Sequence, residues 1–211
     1  MNYGELCDKQ IVKNKSENIK PKLLLHVCCA PCSSYVLEYL AEHFNITLCF
    51  YNPNIAPRDE YDFRLKELGR LLEELPQGRG VDMLETPYDP ETFIEMAKGL
   101  EKEPEGGARC KKCYELRLRK TAELGSEKGF DFFTTTLSIS PYKNAEWLNT
   151  IGDEVGKKYG VAYLFSDFKK KNGYKRSIEL SREYGLYRQD YCGCAYSKAE
   201  SLARRLEKNK I

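Results

Sequence analysis

LLLHVCCAPCS, residues 23–33, reads as a buried strand, a tight turn and the start of a helix. Leu23 to Val27 is an apolar run of strand length, and Pro31 suits the first turn of the following helix, where its missing N–H is not needed. The alternation continues along the chain. Ile46 to Tyr51 makes a second strand that closes in the turn Asn52-Pro53-Asn54. Pro57 opens a helix in which Tyr61, Leu65, Leu68, Leu72 and Leu75 fall at helical spacing. Val81 to Thr86 is a third strand, and Asp89-Pro90 supplies a cap and a first-turn proline for the next helix. A helix from about Cys110 to Lys128 carries Tyr114, Leu118 and Ala122 on one face, Asp131 to Thr136 is a fourth strand, and Trp147, Ile151 and Val155 mark another helix. Ser197 and Glu200 have capping-box spacing for a last helix with Leu202 and Leu206 inside. Strands alternating with helices predict an α/β fold with a doubly wound parallel sheet, whose ligands bind at the carboxyl ends of the strands. We expect one α/β domain over residues 1–211, with a core at 22–165 and a small basic, tyrosine-rich helical and loop appendage at 166–211.

A chain of 211 residues, 41% hydrophobic and 31% charged, is long and apolar enough to bury a core, which excludes general disorder. No apolar run approaches the ~18 residues of a membrane span, and the first twenty residues lack the apolar segment of a secretion signal. A cytoplasmic protein with no membrane partner is therefore expected. The net charge of +2 hides an asymmetry: Asp167 to Ile211 holds twelve basic and six acidic residues, so the last fifth is a basic face. Nine cysteines in a reducing compartment point to metal or redox chemistry rather than a disulfide framework. With only two histidines, His26 and His43, a metal site must be mostly sulfur, favouring zinc or an iron–sulfur cluster.

Three cysteine groups carry that chemistry. Cys28, Cys29 and Cys32 sit at a predicted helix N-terminus, whose dipole favours thiolate. Cys110 and Cys113 form a C-x-x-C that opens a helix, flanked by Arg109, Lys111 and Lys112. Together they offer four or five thiolates, enough for tetrahedral zinc or a [4Fe–4S] cluster, and the count does not choose between them. Neighbours in an extended chain point to opposite sides, so Cys28 and Cys29 share one centre only if the turn folds them together; otherwise one serves a second metal. Cys192-Gly193-Cys194 is different in kind. A C-x-C pair closes a small, strained and easily reduced ring, suited to a redox-active dithiol; ligation of a second iron and two unpaired thiols are the alternatives. Residues 169–196 interleave bases with tyrosines, as in grips on single-stranded RNA, although a solvated face with half-buried rings has the same composition. Thr134 to Thr136 and SISPYKN, 138–144, end the fourth strand either as ligand contacts or as an ordinary turn. The turn after the first strand has no glycine, which argues against a phosphate cradle and ATP use.

The ordered motifs HVCCAPCS (26–33), YNPNIAP (51–57), RCKKCYELRL (109–118), FTTTLSISPYKN (133–144) and YRQDYCGCAYS (187–197) closely resemble the QueH type of epoxyqueuosine reductase over nearly the whole chain. The resemblance implies a Rossmann-like fold related to the nucleotide alpha-hydrolase group, and reduction of the epoxide of epoxyqueuosine in a tRNA anticodon loop to queuosine, with loss of water. It further implies a [4Fe–4S] cluster on Cys28, Cys29, Cys110 and Cys113, a redox-active pair at Cys192 and Cys194 that cycles through a disulfide, and an external electron donor. Removing the oxygen takes two electrons and two protons while a cluster passes electrons singly, so a dithiol reservoir is useful. Membership of the motifs makes Asn52, Tyr142, Lys143, Arg188 and Asp190 candidate substrate residues, with Tyr142, Lys143 and Asp190 the candidate proton donors. Cys7 and Cys49 are read as structural, and Cys32 has no assigned role. Two other classes stay open: a zinc-stabilised RNA-binding module, and an ATP-independent sulfur-transfer enzyme acting on tRNA.

Overall fold

The computed structural model describes residues 1–84 and 86–208, the last of these by its backbone alone. In chain order the elements are α1 (Tyr3–Ser16), β1 (Lys22–His26), α2 (Ala30–Leu40), β2 (Asn45–Cys49), α3 (Arg58–Glu74), β3 (Asp82–Leu84), α4 (Pro90–Ala97) and α5 (Ala108–Glu127). They continue with β4 (Phe132–Thr135), α6 (Ala145–Tyr159), β5 (Ala162–Tyr163), α7 (Gly173–Glu183) and α8 (Ala195–Lys208). The strands form one sheet in the order β3-β2-β1-β4-β5, every pairing parallel. This is the doubly wound Rossmann-like arrangement that the alternating pattern predicts.

The apolar run of β1 has a direct cause in this order. As the central strand it is covered on both faces, so both sets of alternating side chains must be apolar. Leu23 and Leu25 pack with Val36, Leu37 and Leu68 of α2 and α3, whereas Leu24 packs with Leu118 and Ala122 of α5 and Leu148 of α6. Burying each such leucine contributes about 1.5–3 kcal/mol relative to exposure. The strand order reverses between β1 and β4, and the crevice at that reversal is where the residues following each strand come together.

Several boundaries differ from expectation. The third strand is shorter than Val81 to Thr86, and Glu85 within that range lies outside the described residues. The helix expected from Cys110 begins two residues earlier. Ser197 does not cap α8: its N–H donates to Cys194 Sγ at 3.3 Å, so the cap sits three residues upstream. Leu202 and Leu206 are 49% and 64% exposed rather than inside, because α8 lies at the molecular edge. Helices α1 and α7 and strand β5 carry too few apolar residues in register to stand out from sequence. Among the described residues, no helix is long and apolar enough to cross a membrane.

Candidate metal and redox centre

At the end of β1 the backbone swings into α2 through Cys29, which occupies the N-cap position with extended torsions, φ −170° and ψ 161°. That turn brings Cys28 Sγ within 3.8 Å of Cys29 Sγ, and places the sulfurs of Cys28, Cys29 and Cys32 all within 4.8 Å of one another. The two adjacent cysteines thus face the same way. Contacts with Cys28 and Cys32 hold the Cys29 pKa well below the ordinary thiol value, the Cys29 contact and burial push Cys28 up to about 11, and contacts with both neighbours raise Cys32. Three sulfurs this close together could hold a metal ion.

The layer beneath is rigid and polar. His26, fully buried, bonds Thr135 Oγ1 at 2.8 Å and the Tyr51 carbonyl at 3.1 Å; the carbonyl can only accept, so Nε2 carries the proton. Burial, then the charge of Arg117, pushes the His26 pKa down to about 4, leaving a neutral ring. Asn52 donates from Nδ2 to the Val27 carbonyl at 2.8 Å. It sits behind the cysteine turn rather than among the residues lining the cleft, and its Oδ1 has no partner among the described residues.

Cys110 and Cys113, three residues apart at the start of α5, share a helix face with Tyr114 and Arg117. Cys110 Sγ accepts from the Gly106 amide at 3.3 Å, and burial pushes Cys113 up to about 12. Cys28, Cys29, Cys110, Cys113 and Cys194 belong to one buried cluster.

The C-x-C loop is pinned from the opposite side. Gly193 takes φ +118°, and a Cβ there would meet both Arg64 and Ile55 at 3.0 Å, so only glycine fits. Its carbonyl accepts from the Ala56 amide at 3.0 Å, and Arg64 donates to the Cys192 carbonyl at 3.1 Å. Cys192 is half-buried and Cys194 buried, both as free thiols.

A cleft of about 720 Å³ brings the Cys28 turn and Cys192 together, lined among others by Cys28, Cys29, Cys32, Cys192, Lys143 and Arg188, with Cys110 and Cys113 outside its lining. Lys143 is buried against Glu105 Oε1 at 3.3 Å. Burial works against its charge, but Cys192, Tyr114 and Glu105 outweigh it and raise its pKa. Tyr142 is 78% exposed at the rim. Arg188 also lines the cleft and is tied to α7 through Ser181 Oγ at 3.0 Å. Asp190 accepts from Ser201 and from Arg205 Nε, both at 2.8 Å, and its Arg205 bond holds its carboxyl below the usual range. Asp190 lines the same cleft.

The basic C-terminal segment is partly neutralised. Arg176 makes two bonds to Glu38, at 3.0 and 2.7 Å, and Lys171 pairs with Asp8. Three residues at the site were not singled out from sequence: Arg64, Arg117 and Glu105. The signal for the arginines was present. Arg64 shares the buried face of α3 with Tyr61 and Leu68, and Arg117 shares that of α5 with Tyr114 and Leu118; a charge on an apolar stripe needs an internal partner.

A family model described as epoxyqueuosine reductase QueH matches residues 23–200. The protein of that name from Streptococcus pyogenes serotype M1 is 46% identical over 199 residues, covering 93% of this chain and 78% of its own. Its namesake in Staphylococcus aureus strain Mu50 is 44% identical over 201 residues, covering 93% and 84% respectively. That of Thermotoga maritima is 34% identical over 190 residues, covering 88% and 94%. With similarity running from β1 into α8 and relatives 34–46% identical over most of the chain, the chain belongs to the QueH family of epoxyqueuosine reductases.

Proposed function

We propose that this protein reduces the epoxide of epoxyqueuosine in the anticodon loop of a tRNA, using a thiolate-held [4Fe–4S] centre and the Cys192–Cys194 pair. The observation that carries the reading is the meeting of the Cys28 turn and the C-x-C loop at one cleft, with the α5 thiols in the same buried cluster. The donor set suits the cofactor: soft sulfur ligands, and a buried guanidinium, Arg117, whose Nη1 and Nη2 have no partner among the described residues and which a net negative centre would satisfy. Cys28, Cys29, Cys110 and Cys113 would hold it, with Cys32 the fifth, spare thiol. When bound, the cluster supplies single-electron transfer and a Lewis acid for developing negative charge on oxygen.

The rest falls to the chain's own groups. The epoxide takes up two electrons and two protons and leaves as alkene plus water. Two thiols becoming one disulfide release the same two electrons and two protons, so the C-x-C pair balances the step, and an external donor then restores it. Lys143, which lines the same cleft as Cys192 and stays charged, holds a proton there. Arg188 and Arg204 line the cleft where phosphates of a looped strand would pass.

Anaerobic purification followed by iron, sulfide and zinc analysis tests the reading. About four irons and four sulfides per chain are expected; one zinc and no iron would replace it with a zinc-stabilised RNA-binding module. Cys32→Ser is expected to keep the iron, and Cys113→Ser to lose it. Cys192→Ser keeps the cluster and suppresses turnover.

A further inference from the structure

Three arginines are among the largest fully buried side chains: Arg64, Arg109 and Arg117. Arg64 bonds Glu60 at 2.7 Å and the Cys192 carbonyl at 3.1 Å. Arg109 donates to the Leu100 and Glu101 carbonyls at 3.0 and 3.1 Å and reaches Glu200 at 3.5 Å. Arg117 has none of this. Its Nε donates to the Cys113 carbonyl at 3.3 Å, its two terminal nitrogens are unsatisfied, and it pairs with no carboxylate among the described residues. It is 1% exposed. A guanidinium does not escape by losing its proton, so an isolated one in a dry interior is strongly unfavourable unless an anion is supplied. Burial opposes its charge; the groups close enough to favour it are Cys113, Cys192 and Cys28, from three separate segments, and Tyr114.

We propose that Arg117 is the built-in counter-charge of the thiolate-held centre, a positioning residue that strengthens metal retention and favours the centre's reduced state. This rests on the metal-centre reading given under Proposed function. A thiolate-ligated cluster is net negative and becomes more so on reduction, so a fixed cation nearby stabilises the reduced form more than the oxidised one. The same cation is a burden when the thiols are neutral and empty-handed. Arg117 should therefore weaken the metal-free fold and strengthen the loaded one, a pattern that a purely packing arginine does not produce.

The test uses the full chain, purified anaerobically, as wild type, Arg117→Met and Arg117→Lys. Metal-free Arg117→Met is expected to melt at or above the wild-type temperature, and to gain less than half of the wild-type increase on cluster reconstitution. In an EPR-monitored redox titration the equilibrium constant for one-electron reduction should fall at least tenfold, which is about 59 mV, with Arg117→Lys restoring most of the loss. Where Arg117→Met retains no cluster, Co²⁺ titration of the metal-free protein replaces the potential: affinity read from the thiolate charge-transfer band should drop at least tenfold. Equal destabilisation of the metal-free and loaded forms, with unchanged potential or Co²⁺ affinity, would overturn the proposal. The wild-type iron and sulfide content judges the metal-centre reading separately: a wild type that takes up iron while Arg117→Met behaves identically leaves that reading standing and removes only the role of Arg117.

Discussion

At Cys194 one sulfur closes the C-x-C pair and also accepts the Ser197 amide at 3.3 Å, at the position where helices place an oxygen-bearing cap. The next intrahelical bond, from the Lys198 amide to the Cys194 carbonyl at 3.0 Å, starts α8 there. The proposed redox duty and the structural one can be separated at this residue by side-chain choice. Serine is a good N-cap but no redox partner, so Cys194→Ser is expected to leave the urea unfolding midpoint near wild type while abolishing multiple turnover. Cys194→Ala should lose the cap as well, at a cost of about 1 kcal/mol. Full turnover by the serine variant would remove the dithiol from the mechanism. Gly193 shows the same local economy: its positive φ and the close approach of Arg64 and Ile55 leave no room for a side chain between the two sulfurs.

At the scale of elements, the loop that delivers the C-x-C pair is held to α3 by a short ionic bracket. Glu67 accepts from Arg70 Nε at 3.0 Å and from the Tyr187 amide at 3.1 Å, and Arg70 donates to the Tyr184 carbonyl at 3.0 Å. The Arg70 bond keeps the Glu67 carboxyl below its ordinary value of 4.5. A depressed carboxylate lends stability that is complete above that value and is lost as pH falls through and below it. The protection of the amides around Tyr184 to Tyr187, measured against the intrinsic exchange rate at each pH, should therefore fall on acidification below pH 4.5 in the wild type. In Glu67→Gln it should already be low at neutral pH and show little further change. Parallel acid profiles for the two proteins would show that the bracket does not anchor the loop.

For the molecule as a whole, the excess of positive charge near the C-terminus is not all available to a nucleic acid. Arg176 is bound by Glu38, whereas Arg204 lines the cleft, is 53% exposed and lies 3.7 Å from Glu105. Each phosphate contact with a flexible strand contributes about 0.7 to the slope of log affinity against log salt. Arg204→Ala is expected to lower that slope for a tRNA anticodon stem-loop by about this much. Arg176→Ala should leave the slope unchanged and instead loosen the docking of α7 on α2. If the two substitutions change the slope equally, the cleft is not the phosphate track.

The parallel sheet could be read from the chain because its causes are local: the strand that is buried on both faces must be apolar throughout, as Leu23 to Val27 is, and proline and aspartate mark helix starts wherever they fall. The cysteine motifs were legible for the same reason, since thiol chemistry depends on residue type and short spacing. What lay beyond reach depended on distance in space. Whether adjacent Cys28 and Cys29 point together rests on torsions at one turn, and the burial of Arg64 and Arg117 depends on which helix face the sheet covers. That Asn52 serves the Val27 carbonyl and Asp190 an arginine fifteen residues on follows from the packing of segments that sequence order keeps apart. Partner choice for a polar side chain is a competition among all groups within hydrogen-bond reach, and only the folded chain brings the competitors together.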